Sequence, residues 1–296
     1  MDKNIPPIEK DILRNHLTAV ARPRDALQNP EGLSEVQEYI QNTLSSLGYK
    51  IKKSPFVYEG REFENLIAAN FQDEGAPQLI IGAHFDAVPG TPGADDNASG
   101  VAALLEAARI ISELKFPLRI HFAAFNLEEY GMVGSTHYVE WLKKFFSSSQ
   151  GKSRADFYGM LSLEMVGFIS EEKGSQKLPL ILKPFYPDTG NFLALVGDAN
   201  SGTFLKKAKA AFESKTCPTH TLTSPFKGLE FPDIRLSDHS PFWDAGYPAL
   251  LVTDTSFFRN PHYHLPSDKI ETLNLDFLQA VTEGVVRLAI SISTYS

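Results

Sequence analysis

Residues 77–114 read PQLIIGAHFDAVPGTPGADDNASGVAALLEAARIISEL. The run through Leu79, Ile80 and Ile81 is continuously apolar and closes on His84 and Asp86, the pattern of a buried strand with polar residues at its end. A glycine- and proline-containing turn follows, and beyond it Val101, Leu104, Leu105, Ala108 and Ile111 fall on one helical face. That spacing predicts an amphipathic helix over residues 99–114. Strand, turn and helix in succession form the repeating unit of an α/β fold. Inside the turn, Asp95 and Asp96 are neighbours, and adjacent like charges repel unless something positive holds them. A helix N-terminus offers a partial positive charge, and a metal ion offers far more.

The pattern repeats on both sides. Residues 32–49 place Val36, Ile40, Leu44 and Leu47 on one helical face, with Gly48 as the stop, and strand-like segments follow at 50–58 and 64–71. Downstream, 117–126 predicts a strand, 134–146 a helix, 157–168 an apolar strand, 200–214 a helix and 247–254 a buried strand. The C-terminal stretch 274–292 predicts a long helix with Asn274 as its N-cap. Residues 145–154, 169–177 and 223–235 read as surface loops, and no repeat or linker interrupts the alternation. The prediction is one domain over residues 1–296, a three-layer α/β/α sandwich around a mostly parallel, mixed central sheet.

Ligands of such folds bind beyond the carboxyl ends of the strands. The polar residues gather there: His84 and Asp86 after one strand, Glu128 and Glu129 after the next, Glu164 and Asp254 at the ends of two more. A net charge of −8 argues against nucleic acid or an anionic membrane as the main partner. No run of about 18–20 apolar residues predicts a membrane span. The first 25 residues lack the apolar core of a signal peptide, so a cytoplasmic location is expected. Cys217 is the one cysteine, which excludes an internal disulfide and a thiolate zinc site and predicts a buried thiol.

Imidazole with carboxylate and no thiolate suits zinc, and also manganese, cobalt or iron. The donors are too many for one tetrahedral ion, whereas two ions sharing a bridging carboxylate would use them well. An adjacent Glu pair can then divide the work, one carboxylate binding metal and its neighbour taking a proton from the attacking water. The glycines around the turn form no phosphate loop, because no GK[ST] follows. The triplet Asp238-His239-Ser240 is no catalytic triad by adjacency alone, and the chain has no GxSxG elbow.

Four stretches, GAHFDAVPGTPGADDNASGVAALLE (82–106), FNLEEYGMVGS (125–135), LEMVG (163–167) and YHLPSDKIETLN (263–274), together resemble the co-catalytic dizinc exopeptidases. That family includes bacterial leucyl aminopeptidases, with glutamate carboxypeptidase II, transferrin receptor and glutaminyl cyclase as relatives. The resemblance runs from about residue 34 to the C-terminus, with the motifs in the family's order. It implies a peptide substrate and two zinc ions, manganese or cobalt being competent substitutes. His84 and Glu164 would hold one ion, Glu129 and His264 the other, and Asp96 would bridge them. Glu128 would be the general base, and a cis peptide would follow the bridging aspartate at Asp96–Asn97. Asp86 would orient His84, and Asp238 would stand near the substrate amine. Family members often carry Asp where this chain has Glu164. His239 and His262 adjoin motif residues and are the alternative imidazoles.

The activity implied is that of an aminopeptidase. The alternatives are a glutaminyl-cyclase-like aminoacyltransferase and a receptor-like binding module without metal. Specificity is expected to come from the loops at 167–191 and 222–236. Phe185, Tyr186, Phe192, Phe226 and Phe231 are candidates to line an apolar pocket, with apolar first residues favoured weakly at best. The sequence is silent on oligomeric state.

Overall fold

Every residue of Leu79–His84 is buried, which explains why this strand reads as unbroken hydrophobicity rather than as an alternation. In a computed structural model of the chain, which describes residues 5–70, 77–114, 118–148 and 157–293, it lies inside a single eight-stranded sheet. The strands are β1 (Lys50–Tyr58), β2 (Arg61–Ala69), β3 (Leu79–His84), β4 (Ile120–Phe125), β5 (Gly159–Leu163), β6 (Leu193–Asp198), β7 (Thr219–Ser224) and β8 (Ala249–Thr253). Their spatial order is β1-β2-β4-β3-β5-β8-β6-β7. The central four, β4-β3-β5-β8, are mutually parallel, as is the β6/β7 pair. The β1/β2, β2/β4 and β6/β8 pairs are antiparallel, so the sheet is mixed and parallel at its centre.

The helices are α1 (Lys10–Val20), α2 (Pro30–Ser46), α3 (Gly100–Glu113), α4 (Val133–Ser148), α5 (Gly202–Phe212), α6 (Ser240–Asp244) and α7 (Leu275–Ser293). Strand alternation divides the core in two. Leu79, Ile81, Leu161 and Leu250 pack with α1, α2, α3, α5 and α7 through residues such as Leu17, Ile40, Leu104, Leu205 and Val281. On the other face Ile80, Met160 and Leu251 meet Tyr138, Leu142, Phe242 and Trp243 of α4 and α6. This is the three-layer α/β/α arrangement expected. Asn274 caps α7 as predicted, its Oδ1 accepting from the Phe277 amide at 2.9 Å.

Two strands escaped the sequence reading. β6 (LALVGD) is as long as β3 and apolar over Leu193–Val196, yet it sits between loop segments with no helix before it to set the alternation, and β7 (THTLTS) is polar apart from Leu222 at the sheet edge. Strand β1 pairs with β2 over its full length, yet most of its residues stay accessible, as befits the opposite edge. Of the loop expected at 145–154, residues 145–148 complete α4 and residues 149–154 lie outside the described residues. Cys217 is buried, and burial pushes its thiol up to about 12. Among the described residues, no helix is long and apolar enough to cross a membrane.

Candidate active site

The parallel centre of the sheet delivers its polar strand ends to one edge. β3 ends at His84; the segment after β4 carries Glu128 and Glu129; Glu164 follows β5 directly. The fourth contribution is the Ala94–Ser99 turn, whose backbone leaves helical geometry at Asp96 (φ −105°, ψ 90°) and Asn97 (φ −132°, ψ 42°). The Asp96–Asn97 peptide is cis, as the family resemblance implied.

Side chains remote in sequence pin this turn. Asp268 accepts from the amides of Asp95 and Asp96 at 2.9 and 3.1 Å. Asn97 donates to the Leu163 carbonyl at 2.7 Å and accepts from the Gly100 and Met165 amides, each at 3.1 Å. From the far side comes Arg24, whose fully buried guanidinium donates to the carbonyls of Phe85 (2.8 Å), Pro92 (2.5 Å) and Gly93 (2.9 Å), and more distantly to Arg22 and Asp96. Arg24 and Asp268 were not singled out from sequence. Asp268 stood inside a quoted motif, whereas nothing in the local pattern around Arg24 marks it.

The two aspartates of the turn face different ways. Asp96 turns its oxygens to two imidazoles, Oδ1 at 3.3 Å from His84 Nε2 and Oδ2 at 3.0 Å from His264 Nε2. Glu164 Oε2 stands 3.3 Å from the same His84 nitrogen, and Glu129 Oε2 stands 3.4 Å from the His264 nitrogen. The cluster thus has two halves, each with an imidazole and a glutamate, and Asp96 is shared between them. Asp95 points elsewhere, accepting from the Gly167 amide at 2.9 Å and from Asn260 Nδ2 at 2.6 Å. Burial, with Asp254 and Asp268 nearby, pushes its carboxyl well up.

Glu128 lies beside the His84 half, its Oε2 4.0 Å from His84 Nε2. Burial raises its carboxyl well above the usual range; His84 opposes this, and Glu164, Glu129 and Asp238 add to it. Asp86 has two sets of contacts. It lies 3.5 Å from His84 Nδ1, at the limit of hydrogen-bond reach, and its two oxygens accept from the backbone amides of Glu128 and Glu129 at 3.1 and 3.2 Å. Its firmest contacts therefore hold the Glu pair. Asp238 is fully buried with neither oxygen hydrogen-bonded, and burial pushes it up to about 7. Between Asp238 and the cluster, Ser237 donates to Glu164 Oε2 at 2.8 Å.

The alternative imidazoles are engaged away from the cluster. His239 Nε2 lies 2.7 Å from the Ile234 carbonyl, and burial pushes this ring down to about 3. His262 Nδ1 lies 3.0 Å from Ser267 Oγ. Asp254 accepts from the Phe168 and Ser256 amides and so braces two loops outside the cluster.

The site meets the requirements of a cation. Ligand atoms of His84, Asp96 and Glu129 all lie within 4.8 Å of one another. His84 Nε2, His264 Nε2 and Glu129 Oε1 are buried without a hydrogen-bond partner. Buried polar atoms are rarely left so, and a divalent ion would satisfy imidazole and carboxylate together. Beside the cluster opens a cavity of about 380 Å³ walled mainly by apolar side chains. Tyr186, Phe192 and Phe231 line it as expected, and the two loops named from sequence contribute Leu182 and Ile234. Phe185 and Phe226 do not; they point outward, 75% and 66% exposed.

The model of peptidase family M28 matches residues 65–289. The chain belongs to peptidase family M28. This M28 peptidase is 32% identical to YfbL of Escherichia coli over 298 residues, covering 95% of this chain and 86% of that protein. It is 31% identical to aminopeptidase YwaD of Bacillus subtilis over 207 residues, which is 69% of this chain but 38% of YwaD. Among solved structures, the LapA aminopeptidase of Legionella pneumophila superposes with a TM-score of 0.74 at 20% identity, covering 97% of this chain and 72% of LapA. That likeness concerns the fold. Both the α/β architecture and the peptidase class expected from the motifs are thus established for this chain.

Proposed function

We propose that this M28 peptidase is an aminopeptidase working with two zinc ions, one held by His84 and Glu164, the other by Glu129 and His264, with Asp96 between them. The observation that carries this reading is the split use of Asp96, whose two oxygens face separate imidazoles that each have a glutamate of their own. The names of the relatives, an aminopeptidase in YwaD and leucine aminopeptidases in several fungi, support the same activity. Zinc bound there would polarise the scissile carbonyl and make the attacking water more acidic.

The protein's own groups do the rest. Glu128 takes the proton from the attacking water on its carboxylate and returns it to the leaving nitrogen, and the Asp86 contact to its backbone keeps that carboxylate over the site. The substrate's N-terminal amine must be free, since an acylated nitrogen offers no lone pair to a cation held there. The apolar cavity receives the side chain of the first residue and excludes water from the reacting bond.

The test pairs metal analysis with a substrate panel. Two ions per chain are expected, together with release of single residues from free N-termini and none from the same peptides after acetylation. His264→Ala should lower metal content and activity together. One ion or fewer in fully loaded protein refutes the two-ion part. Equal cleavage of acetylated peptides, or cyclisation of N-terminal glutamine as the main reaction, refutes the aminopeptidase part.

A further inference from the structure

The floor of the cavity is one face of three adjacent strands, and its residues fall in two rows. Thr253, Ala194 and His220 pair side by side across β8, β6 and β7, and Leu251, Val196 and Leu222 do the same one step further along. Neighbouring strands are about 4.8 Å apart, so each row runs roughly 10 Å outward from the end nearest Glu164. That is longer than a leucine side chain needs. In the first row the middle position is alanine, which leaves the passage from Thr253 to His220 open.

At the far end stands an aromatic box. The His220 ring lies edge-on to Phe192, with centroids 4.8 Å apart, and to Tyr186 at 6.0 Å. Tyr186 spends its hydroxyl on the Thr221 carbonyl at 2.9 Å. Neither nitrogen of His220 bonds a protein group among the described residues. Burial and the nearby Lys209 disfavour its protonation, with Glu213 opposing, so it offers a neutral donor and acceptor at the far end of a channel lined mainly by apolar side chains.

We propose that Ala194 and His220 determine specificity for bulky aromatic first residues, Ala194 by keeping the channel open and His220 by hydrogen-bonding a polar tip such as the tyrosine hydroxyl. This rests on the aminopeptidase reading and adds the substrate class to it. A ring extends past Ala194 to the box, while a small side chain leaves the far half of the channel empty. Leucine at position 194 would close the channel midway, and phenylalanine at 220 would keep the box aromatic while removing its polar atom.

The experiment measures kcat/KM of the zinc-loaded wild type, Ala194→Leu and His220→Phe on amides of tyrosine, phenylalanine, leucine and alanine. Binding of free tyrosine and phenylalanine is followed calorimetrically alongside. In the wild type, aromatic amides should exceed alanine amide by at least about tenfold, within the range a shaped apolar pocket supplies. Ala194→Leu should remove most of that advantage and leave alanine amide within about twofold. His220→Phe should lower tyrosine toward phenylalanine, a change of about three- to tenfold for one neutral hydrogen bond, in both kinetics and binding. If Ala194→Leu does not fold, the His220→Phe comparison carries the test alone. Aromatic and alanine amides cleaved equally by the wild type, or slowed equally by Ala194→Leu, overturn the proposal and leave the aminopeptidase reading standing. No N-terminal cleavage in any arm overturns both.

Discussion

Replacing Arg24 by methionine keeps an unbranched apolar stem, two atoms shorter than arginine, and removes every hydrogen bond the guanidinium makes. The residue is wholly inaccessible and its guanidinium bonds only to carbonyl oxygens, three of them at 2.9 Å or less, in Phe85, Pro92 and Gly93. The Phe85 and Pro92 carbonyls, left buried without a donor, cost about 1–3 kcal/mol each, toward the upper end because the lost donor is charged, whereas the Gly93 carbonyl keeps the Ala98 amide at 3.1 Å and loses about 1 kcal/mol. Escape from the penalty of burying a guanidinium offsets part of this, so the net loss should be about 4–5 kcal/mol. Unfolding entropy of about 2 cal/mol/K per residue makes that a fall in Tm of roughly 7 °C for a chain of this length. The Arg24→Lys variant keeps the charge but brings its donors to one atom, so it should recover about half of the loss. The assay is urea unfolding followed by tryptophan fluorescence on metal-free protein, so that metal binding adds nothing to the stability measured. A loss below about 1 kcal/mol in Arg24→Met would refute the reasoning, because the carbonyls would then have found other donors.

Three further outcomes are expected. Glu128→Gln should lower kcat by about 10²–10⁴-fold with little change in metal content, whereas Glu129→Ala should lose metal; activity assays with metal analysis of the same samples separate the two roles, and the reverse pattern exchanges them. His16 is buried with Nδ1 2.8 Å from the Tyr39 hydroxyl, and burial, helped by Arg109, pushes it down to about 4 from an unfolded value near 6.5. A depressed folded value means that its contribution is intact above pH 6.5 and is lost as pH falls through 4, about 3 kcal/mol in all, so His16→Gln should flatten the pH dependence of stability across that window. A Cβ at Gly284 would lie 2.3 Å from Phe212 Cδ1, so Gly284→Ala should loosen α7 from α5 at a cost of about 1–3 kcal/mol; unchanged stability in thermal unfolding would mean that Phe212 moves aside freely.

What the residues determined alone was whatever depends on nearest neighbours and period. Unbroken apolar runs marked β3 and β5, helical spacing marked α2, α3 and α7, and strand-end placement marked His84, Glu128, Glu129 and Glu164 as polar residues delivered to one edge. Asp96 and His264 were legible only because their motifs resemble a family, since no local rule tells Asp96 from Asp95. The tertiary structure separated those two, because each carboxylate direction is set by partners far along the chain: Asp96 meets His264, and Asp95 meets Asn260 and Gly167. It also decided that Asp86 holds the Glu pair more firmly than it holds His84, and that Phe185 and Phe226 face outward while Tyr186 and Phe192 enclose the cavity. The cavity floor was invisible beforehand for the same reason. Thr253, Ala194 and His220 become neighbours only through strand register, and the pairing of β6 with β8 and β7 is a long-range hydrogen-bonding choice that local sequence does not encode. Arg24 is the extreme case, since a buried arginine gains its meaning from the carbonyls of chain segments some 60–70 residues away that close around it.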